Sequence, residues 1–396
     1  MQPSSPPPQD LPQPDALSLR HSQRVAESLR SAMRAAGGSL GFGEFMQHAL
    51  YEPGLGYYAA GARKFGADGD FVTAPEVSPL FGRVVARQCA DVLRQLGGGS
   101  ILELGAGSGA LAEDLLRALS QHDVLPESYL ILEVSADLRE RQQQRLQSAL
   151  PRVFDRVTWL ERLPENFRGV VLANEVADAL PVERFRKTAA GIEQWRVADD
   201  AGRFVWQAAP APPWLVAAVG DIENSLGHAL PVGFVSELSP GLAGWISDIA
   251  NCVDDALLLF FDYGVARGEY YAQDRDGGWL RCHFRHRVHN DPLIYPGIQD
   301  LTAWVDFTAI AEAAVAAKLD VEFWVTQAHF LLHGGLADEL ESLADQNIAD
   351  RAELSRQVKL LTLPGEMGEH FKCMALSRGA IEISDKLRRA DRSHVL

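Results

Sequence analysis

The stretch ILELGAGSGALAEDLL (101–116) decides the fold. An apolar run carrying one acid, Glu103, passes through Gly105, Gly107 and Gly109 into a segment with helical spacing of Ala110, Leu111 and Leu115. Strand, glycine turn and helix N-terminus place backbone N–H groups and a surface free of side chains at the carboxyl end of a sheet, where ligands bind. Outward from there the pattern repeats. SILELG (100–105), SYLILEVS (128–135) and RGVVLANE (168–175) read as strands, and 110–119 and 136–150 as helices. Short strands alternating with helices of ten to fifteen residues imply βαβ units and a parallel sheet. The run Ala256–Phe261 suits a strand buried on both faces. Residues 192–207 read as an inserted hairpin with Asp199, Asp200 and Gly202 near its turn. VEFWVTQAHFLL (321–332) and HFKCMALSR (370–378) read as strands flanking a helical region at 337–361, and helices are expected over Ser18–Ala36 and Val84–Leu96. The segment 41–82 is too broken by Gly and Pro for one regular element, and long irregular segments are commonly functional.

Glu133 closes the second strand, where a carboxylate can accept both hydroxyl protons of an adenosine ribose. Two cofactors suit a glycine turn with such an acid: a dinucleotide or S-adenosyl-L-methionine. Dinucleotide sites favour Gly-x-Gly-x-x-Gly with pyrophosphate over the helix N-terminus. Here the spacing is Gly-x-Gly-x-Gly, and Glu103 adds a carboxylate that disfavours pyrophosphate but suits the amino-acid end of S-adenosylmethionine. In VVLANEVADALPVERF (170–185) a strand ends at Asn174-Glu175, near the topological switch. If 175–178 is a helical turn, Glu175 and Asp178 share a face as an acidic mouth; the alternative is a helix-capping feature.

The 396 residues carry 37 Lys+Arg and 53 Asp+Glu, a net charge of -16. That balance excludes nucleic-acid binding by broad phosphate neutralisation. No run approaches the ~18 apolar residues of a membrane span, so no membrane insertion is expected. Four scattered cysteines read as reduced thiols. The first fourteen residues hold six prolines, and acids precede the first arginine, Arg20, so residues 1–16 read as a disordered tail and not as a signal or transit peptide. Cytoplasm is the expected compartment; the oligomeric state is left open. Cys282, His283, His286 and His289 invite a zinc reading, but the interleaved Arg281, Arg285 and Arg287 would oppose a cation, and a basic loop is the expectation.

These motifs, with KFGADGDFVTAPEVSPLFG (64–82), FDYG (261–264), LRCHFRHRVHNDPLIYPGIQDLTAWVDF (280–307) and PGEMGEHFK (364–372), make the sequence resemble the MidA family of class I S-adenosylmethionine-dependent methyltransferases. The resemblance runs from about Gly41 to Lys372. Leu301 and Trp304 stand where the family usually has Ile and His, so no role is assigned at 304. The resemblance implies an α/β, Rossmann-like core with a mostly parallel seven-stranded sheet, the glycine loop on its first strand and Glu133 with Val134 after its second. It also implies that a segment from 17 to 96 covers the cofactor, making Asp70, Thr73, Glu76 and Ser78 site candidates. The core then spans 97–380 with insertions around 190–250 and 265–310, and 381–396 forms a tail. Mitochondrial members of the family are complex I assembly factors that methylate arginine. The implied partner is therefore a protein substrate, an arginine of a complex I core subunit, with Glu175, Asp178, Glu76 and Asp70 as catalytic candidates and Asn174 a candidate for the cofactor that also borders the reaction side. The alternatives are a NAD(P)-dependent oxidoreductase and a catalytically silent assembly factor with the same fold.

Overall fold

In the computed structural model, which describes residues 11–60, 73–342 and 348–396, the glycine turn leaves a parallel sheet, as the alternation of strands and helices predicts. The chain divides into two units: residues 1–71, 178–242 and 266–306 form the first, and residues 72–177, 243–265 and 307–396 the second. The strands of the second unit are β1 (Ser100–Leu104), β2 (Tyr129–Leu132), β3 (Val157–Leu160), β4 (Phe167–Asn174), β5 (Val253–Val265), β6 (Asp320–Thr326) and β7 (Phe371–Arg378). Along the sheet they run β3-β2-β1-β4-β5-β7-β6. Neighbours from β3 to β5 are parallel, and β7 lies antiparallel between β5 and β6. The winding leaves β1 towards β2 on one side and resumes at β4 on the other. A crevice therefore opens at the carboxyl ends of β1 and β4, the usual ligand position in such sheets.

Helices α1 (Pro79–Leu96), α2 (Ala110–Gln121) and α3 (Ala136–Ala149) belong to this unit. Its core joins Ile101, Tyr129, Val170 and Leu172 of the strands to Val85, Cys89, Leu115 and Leu119 of α1 and α2. At Gly82 a Cβ would stand 2.6 Å from Asp114 Cβ, so glycine there permits the close approach of α1 and α2. The run expected as one strand over 321–332 is divided at Thr326. Its Oγ1 accepts from His329 N at 3.2 Å and starts a helix over Gln327–Gly334. The helical region expected at 337–361 comprises Leu336–Glu341 and Ile348–Thr362, with 343–347 outside the described residues. Residues 381–396, expected as a tail, instead pack on the sheet unit: Ile381 and Leu387 are buried in its core, and Trp324 N donates to Asp391 Oδ1 at 2.8 Å.

In the first unit the strands Ser39–Gly41, Gly191–Asp200, Glu183–Thr188 and Val235–Leu238 lie side by side in that order, with Arg203–Pro210 on Gly191–Asp200. The hairpin turns through Ala201 (φ +49°) and Gly202 (φ +87°), the left-handed pair that a two-residue connection favours. A second sheet joins Arg287–His289, Leu280–Phe284 and Asp300–Ala303. Asp15 begins the N-terminal helix, Ala16–Ala35, by accepting from Leu17 N and Ser18 N. Part of the expected tail is thus a helix cap, and residues 1–10 lie outside the described ones. The first residues of the broken segment also form a regular element, the helix Phe42–Tyr51. Glu183, on a strand of the same unit, accepts from Phe42 N at 3.1 Å. The stretch 17–96, expected to fold as one cover, is shared between the units: its described part up to 60 belongs to the first and 73–96 to the second.

Candidate cofactor and active site

After Leu104 the chain turns through Gly105 (φ +64°), Gly107 (φ +54°) and Gly109 (φ +81°). Three left-handed residues in five are tolerable only because each lacks a Cβ. Gly105 N donates to Leu132 O at 2.9 Å, tying the turn to the end of β2, and Gly109 opens α2. The space around the turn is filled on two sides. A Cβ on Gly105 would stand 3.4 Å from Val176 Cγ2, and one on Gly109 would stand 3.5 Å from Gln142 Cγ.

Glu133, just beyond β2, is 5% exposed. Its Oε1 accepts from Ser135 N (2.9 Å) and its Oε2 from Gln142 Nε2 (3.0 Å). A carboxylate oxygen can accept two protons, so a carboxylate fixed in this way still has acceptor capacity for a ribose diol. Val134, next in the chain, is 78% exposed. An exposed aliphatic side chain next to an acid of this kind suits one face of an adenine ring. Gln142 and Trp159, which complete this cluster, belong to none of the sequence motifs. The signal was present, since Gln142 lies one turn from both Leu138 and Leu146, and all three are buried.

Glu103 is buried and accepts a hydrogen bond from Tyr129 Oη at 2.6 Å. Burial pushes its carboxyl up to about 7, with the Tyr129 hydrogen bond opposing and the charge of Glu133 adding to the rise. Because the folded value is raised above the unfolded one, the favourable contribution of this group is complete below about pH 4.5 and is lost as pH climbs through 7. The expected loss of folding stability over that window is about 3 kcal/mol. Asp114, raised by burial to about 6, acts in the same direction, so the difference between parent and Glu103→Gln isolates Glu103. Melting curves from pH 5 to 8 should be flatter for the variant; equal slopes would remove Glu103 from the linkage.

On the other side of the switch, β4 ends at Asn174, whose register partner on β5 is Phe261. Glu175 follows with φ +55°, and its N–H donates to Phe261 O at 2.8 Å. Residues 175–178 thus form neither of the two arrangements that the sequence leaves open, but a left-handed residue followed by a 3-10 turn over Ala177–Ala179. Asp262 explains the geometry: its Oδ2 accepts from Ala177 N (3.0 Å) and its Oδ1 from Tyr263 N (2.9 Å), so a buried carboxylate of β5 holds the bend in place. Asn174 Nδ2 reaches Glu175 Oε1 at 3.4 Å. Asn174 Oδ1 is buried and has no hydrogen-bond partner among the described residues.

Glu76 lies beside the glycine turn, where Ser108 Oγ donates to its Oε1 and Arg145 Nη1 stands 3.9 Å away. Arg145 also pairs with Glu113 at 2.8 Å. The Glu76 carboxylate, expected on the acceptor side, is thus engaged by the turn and by a resident cation. Thr73 precedes the short helix Ala74–Val77, and Ser78, 1% exposed, uses its Oγ to cap α1 through Leu80 N. Asp70 lies outside the described residues. Asp178 belongs to the other unit, since the boundary falls after Ala177. There it is 4% exposed, and its charge, behind burial, Asp300 and Tyr51, helps to push the Tyr58 phenol above its ordinary range.

The segment 281–289 is a hairpin in which Cys282 pairs across strands with His289, and Arg285 pairs with Asp15 at 2.7 Å. Burial and neighbouring cations push His283 down to about 4, so at neutral pH it adds no positive charge to this segment. Trp304 stacks on Trp279 with ring centroids 4.3 Å apart.

A side-chain-free turn, an anchored acid, an exposed apolar residue beside it and an unpaired amide oxygen together fit an adenosine ligand with an amino-acid end. They sit at the switch point of a sheet with one reversed strand, and fold and site define an S-adenosylmethionine-dependent methyltransferase. The family model described as S-adenosyl-L-methionine-dependent methyltransferase matches residues 84–324, and the chain belongs to that family, the MidA-like methyltransferases. It is 29% identical to the mitochondrial protein arginine methyltransferase NDUFAF7 homolog of Drosophila melanogaster, over 96% of this chain and 90% of that one. To the Homo sapiens mitochondrial protein arginine methyltransferase NDUFAF7 it is 28% identical, over 86% and 80%. A Burkholderia thailandensis protein solved with bound S-adenosyl-homocysteine superposes with a TM-score of 0.91 at 41% identity, covering 98% of this chain and 100% of that one.

Proposed function

We propose that the protein methylates a guanidinium nitrogen of an arginine in a protein substrate, a core subunit of respiratory complex I. The observation that supports this most is Glu175, an acid held at φ +55° on the bend that packs against the glycine turn. The names of the relatives, protein arginine methyltransferases, point the same way. The cofactor would lie on Gly105, Gly107 and Gly109, with its ribose at Glu133 and its adenine on Val134. Its amino-acid end would meet Asn174 and Glu103, with Thr73 at the margin; Ser78 contributes by fixing the start of α1. S-adenosylmethionine supplies a sulfonium-bound methyl group as electrophile.

The rest is work for the residues of this chain. Arginine, with a pKa above about 12, presents no free lone pair at neutral pH, so the planar group must be oriented and must lose a proton as it reacts. Glu175 would pair with two guanidinium N–H groups, concentrate the lone pair on the third nitrogen and hold its alignment. Asp178 and Asp70 remain acceptor-side candidates, whereas Glu76 serves by steadying Ser108. Positioning of two bound reactants and exclusion of water supply most of the rate. We infer action wherever the substrate subunit is assembled, cytoplasm by the sequence reading, although the relatives are named as mitochondrial. No helix among the described residues is long and apolar enough to cross a membrane.

Mass spectrometry of complex I subunits from cells with and without the protein tests the reading. An arginine methylated only when the protein is present is the expected result. Identical arginine methylation in both, with labelled methyl appearing on another acceptor or on none, would overturn it.

A further inference from the structure

Gln142 is fully buried on α3, where an amide is stable only if both of its ends are bonded. Its Nε2 donates to Gly107 O (2.9 Å) and to Glu133 Oε2 (3.0 Å), and its Oε1 accepts from Trp159 Nε1 (2.9 Å). These three bonds fix which way the amide faces. Turned over, its oxygen would meet two acceptors and its NH2 group an indole donor. Both protons of one planar NH2 group are used, one on the glycine turn and one on the acid after β2. Neither can shift without breaking a bond to the other. The opposite carboxylate oxygen of Glu133 is held by Ser135 N, so rotation of the carboxylate is blocked at both ends.

We propose that Gln142 is a positioning residue for the cofactor site, setting the glycine turn and the Glu133 carboxylate at one fixed separation, with Trp159 as its brace. The proposal rests on the assignment of Glu133 to the cofactor ribose made above. Its energetic basis is preorganisation. A free Glu133 side chain would lose rotamer freedom on binding, and a Gly107 carbonyl without its donor would leave the left-handed turn less determined. No residue of this clamp takes part in the transfer itself. Its loss should therefore appear in binding of the reaction product as clearly as in turnover.

Calorimetry with S-adenosylhomocysteine on the full chain tests it. Gln142→Met keeps the side-chain length and loses all three bonds. Its Kd should rise roughly 10- to 100-fold, the range for losing a hydrogen bond to a charged group. Glu133→Ala should weaken binding comparably, and the double variant should lose less than the product of the two single losses, because the part of the Gln142 effect that acts through Glu133 is already gone, while the part that acts through Gly107 O remains. A simple structural role would not alter sugar selectivity. The parent should prefer 5′-methylthioadenosine to its 2′-deoxy counterpart, and Gln142→Met should lose most of that preference. If Gln142→Met fails to fold, Trp159→Phe, which removes only the brace, should still weaken binding several-fold. Glu133→Ala binding like the parent would overturn the ribose assignment itself. Glu133→Ala weakened, with Gln142→Met and Trp159→Phe within threefold of the parent or with fully additive losses, would overturn the role of Gln142 alone.

Discussion

Gly107→Val is expected to abolish S-adenosylhomocysteine binding, with a loss of at least about 1,000-fold. Two costs combine. Gly107 has φ +54°, a region that a β-branched residue occupies only with strain of order 1–3 kcal/mol. The backbone would move to relieve it, but the Gly107 carbonyl is held by Gln142 and the turn is anchored at Gly105 N by Leu132 O. Whichever way the conflict resolves, the isopropyl group or the displaced backbone occupies the surface that glycine keeps open. Calorimetry giving an affinity within tenfold of the parent would move the cofactor away from this turn. The far-ultraviolet spectrum should be unchanged, since the turn lies outside the strands and helices it joins.

Glu175→Gln is expected to lower kcat by roughly 100-fold or more while leaving S-adenosylhomocysteine affinity within about threefold. The substitution keeps volume and backbone preference, so the φ of +55° and the bond from the residue 175 N–H to Phe261 O should persist. What is lost is a charge facing a guanidinium and a place for its proton. Glu175→Gly separates local strain from chemistry. Glycine relieves the left-handed conformation and should hold or raise the melting temperature, yet it should be as inactive as the Gln variant. An active Glu175→Gln would take the acid out of the reaction; an unstable Glu175→Gly would make its role one of folding.

The residues that sequence reading recovers best are those whose local pattern and tertiary setting agree. The strand ending at Leu104 and the helix starting at Ala110 lie where the pattern of the sequence puts them, so the three glycines between them read as the turn that joins them. The hairpin turn at Ala201-Gly202 is legible for the same reason. At 321–332 the largely apolar run hides a change of period, because the hydroxyl of Thr326 begins a helix that hydrophobicity alone does not reveal. At 175–178 the acids leave a helical turn and a capping feature both open, but the bend is imposed from β5 by Asp262, eighty-four residues beyond Asp178. Gln142 illustrates a different loss. Its neighbours Gln143 and Gln144 look identical in the sequence, and only the phase of α3 sends the first of the three inward.

The position of β7 has a consequence for the newborn chain. The glycine turn with Glu103, Glu133 and Glu175, all within residues 100–175, leaves the ribosome early, and β1 to β4 can pair as soon as they emerge. The edge of β5, with Leu257, Leu258, Leu259, Phe260 and Phe261 along it, finds its partner only when residues 371–378 have been made. For more than a hundred residues of synthesis an apolar strand stands with one side unpaired, the condition under which chains join edge to edge. Truncation before residue 371 would leave that edge open permanently, with the cofactor turn already built and the sheet unable to close.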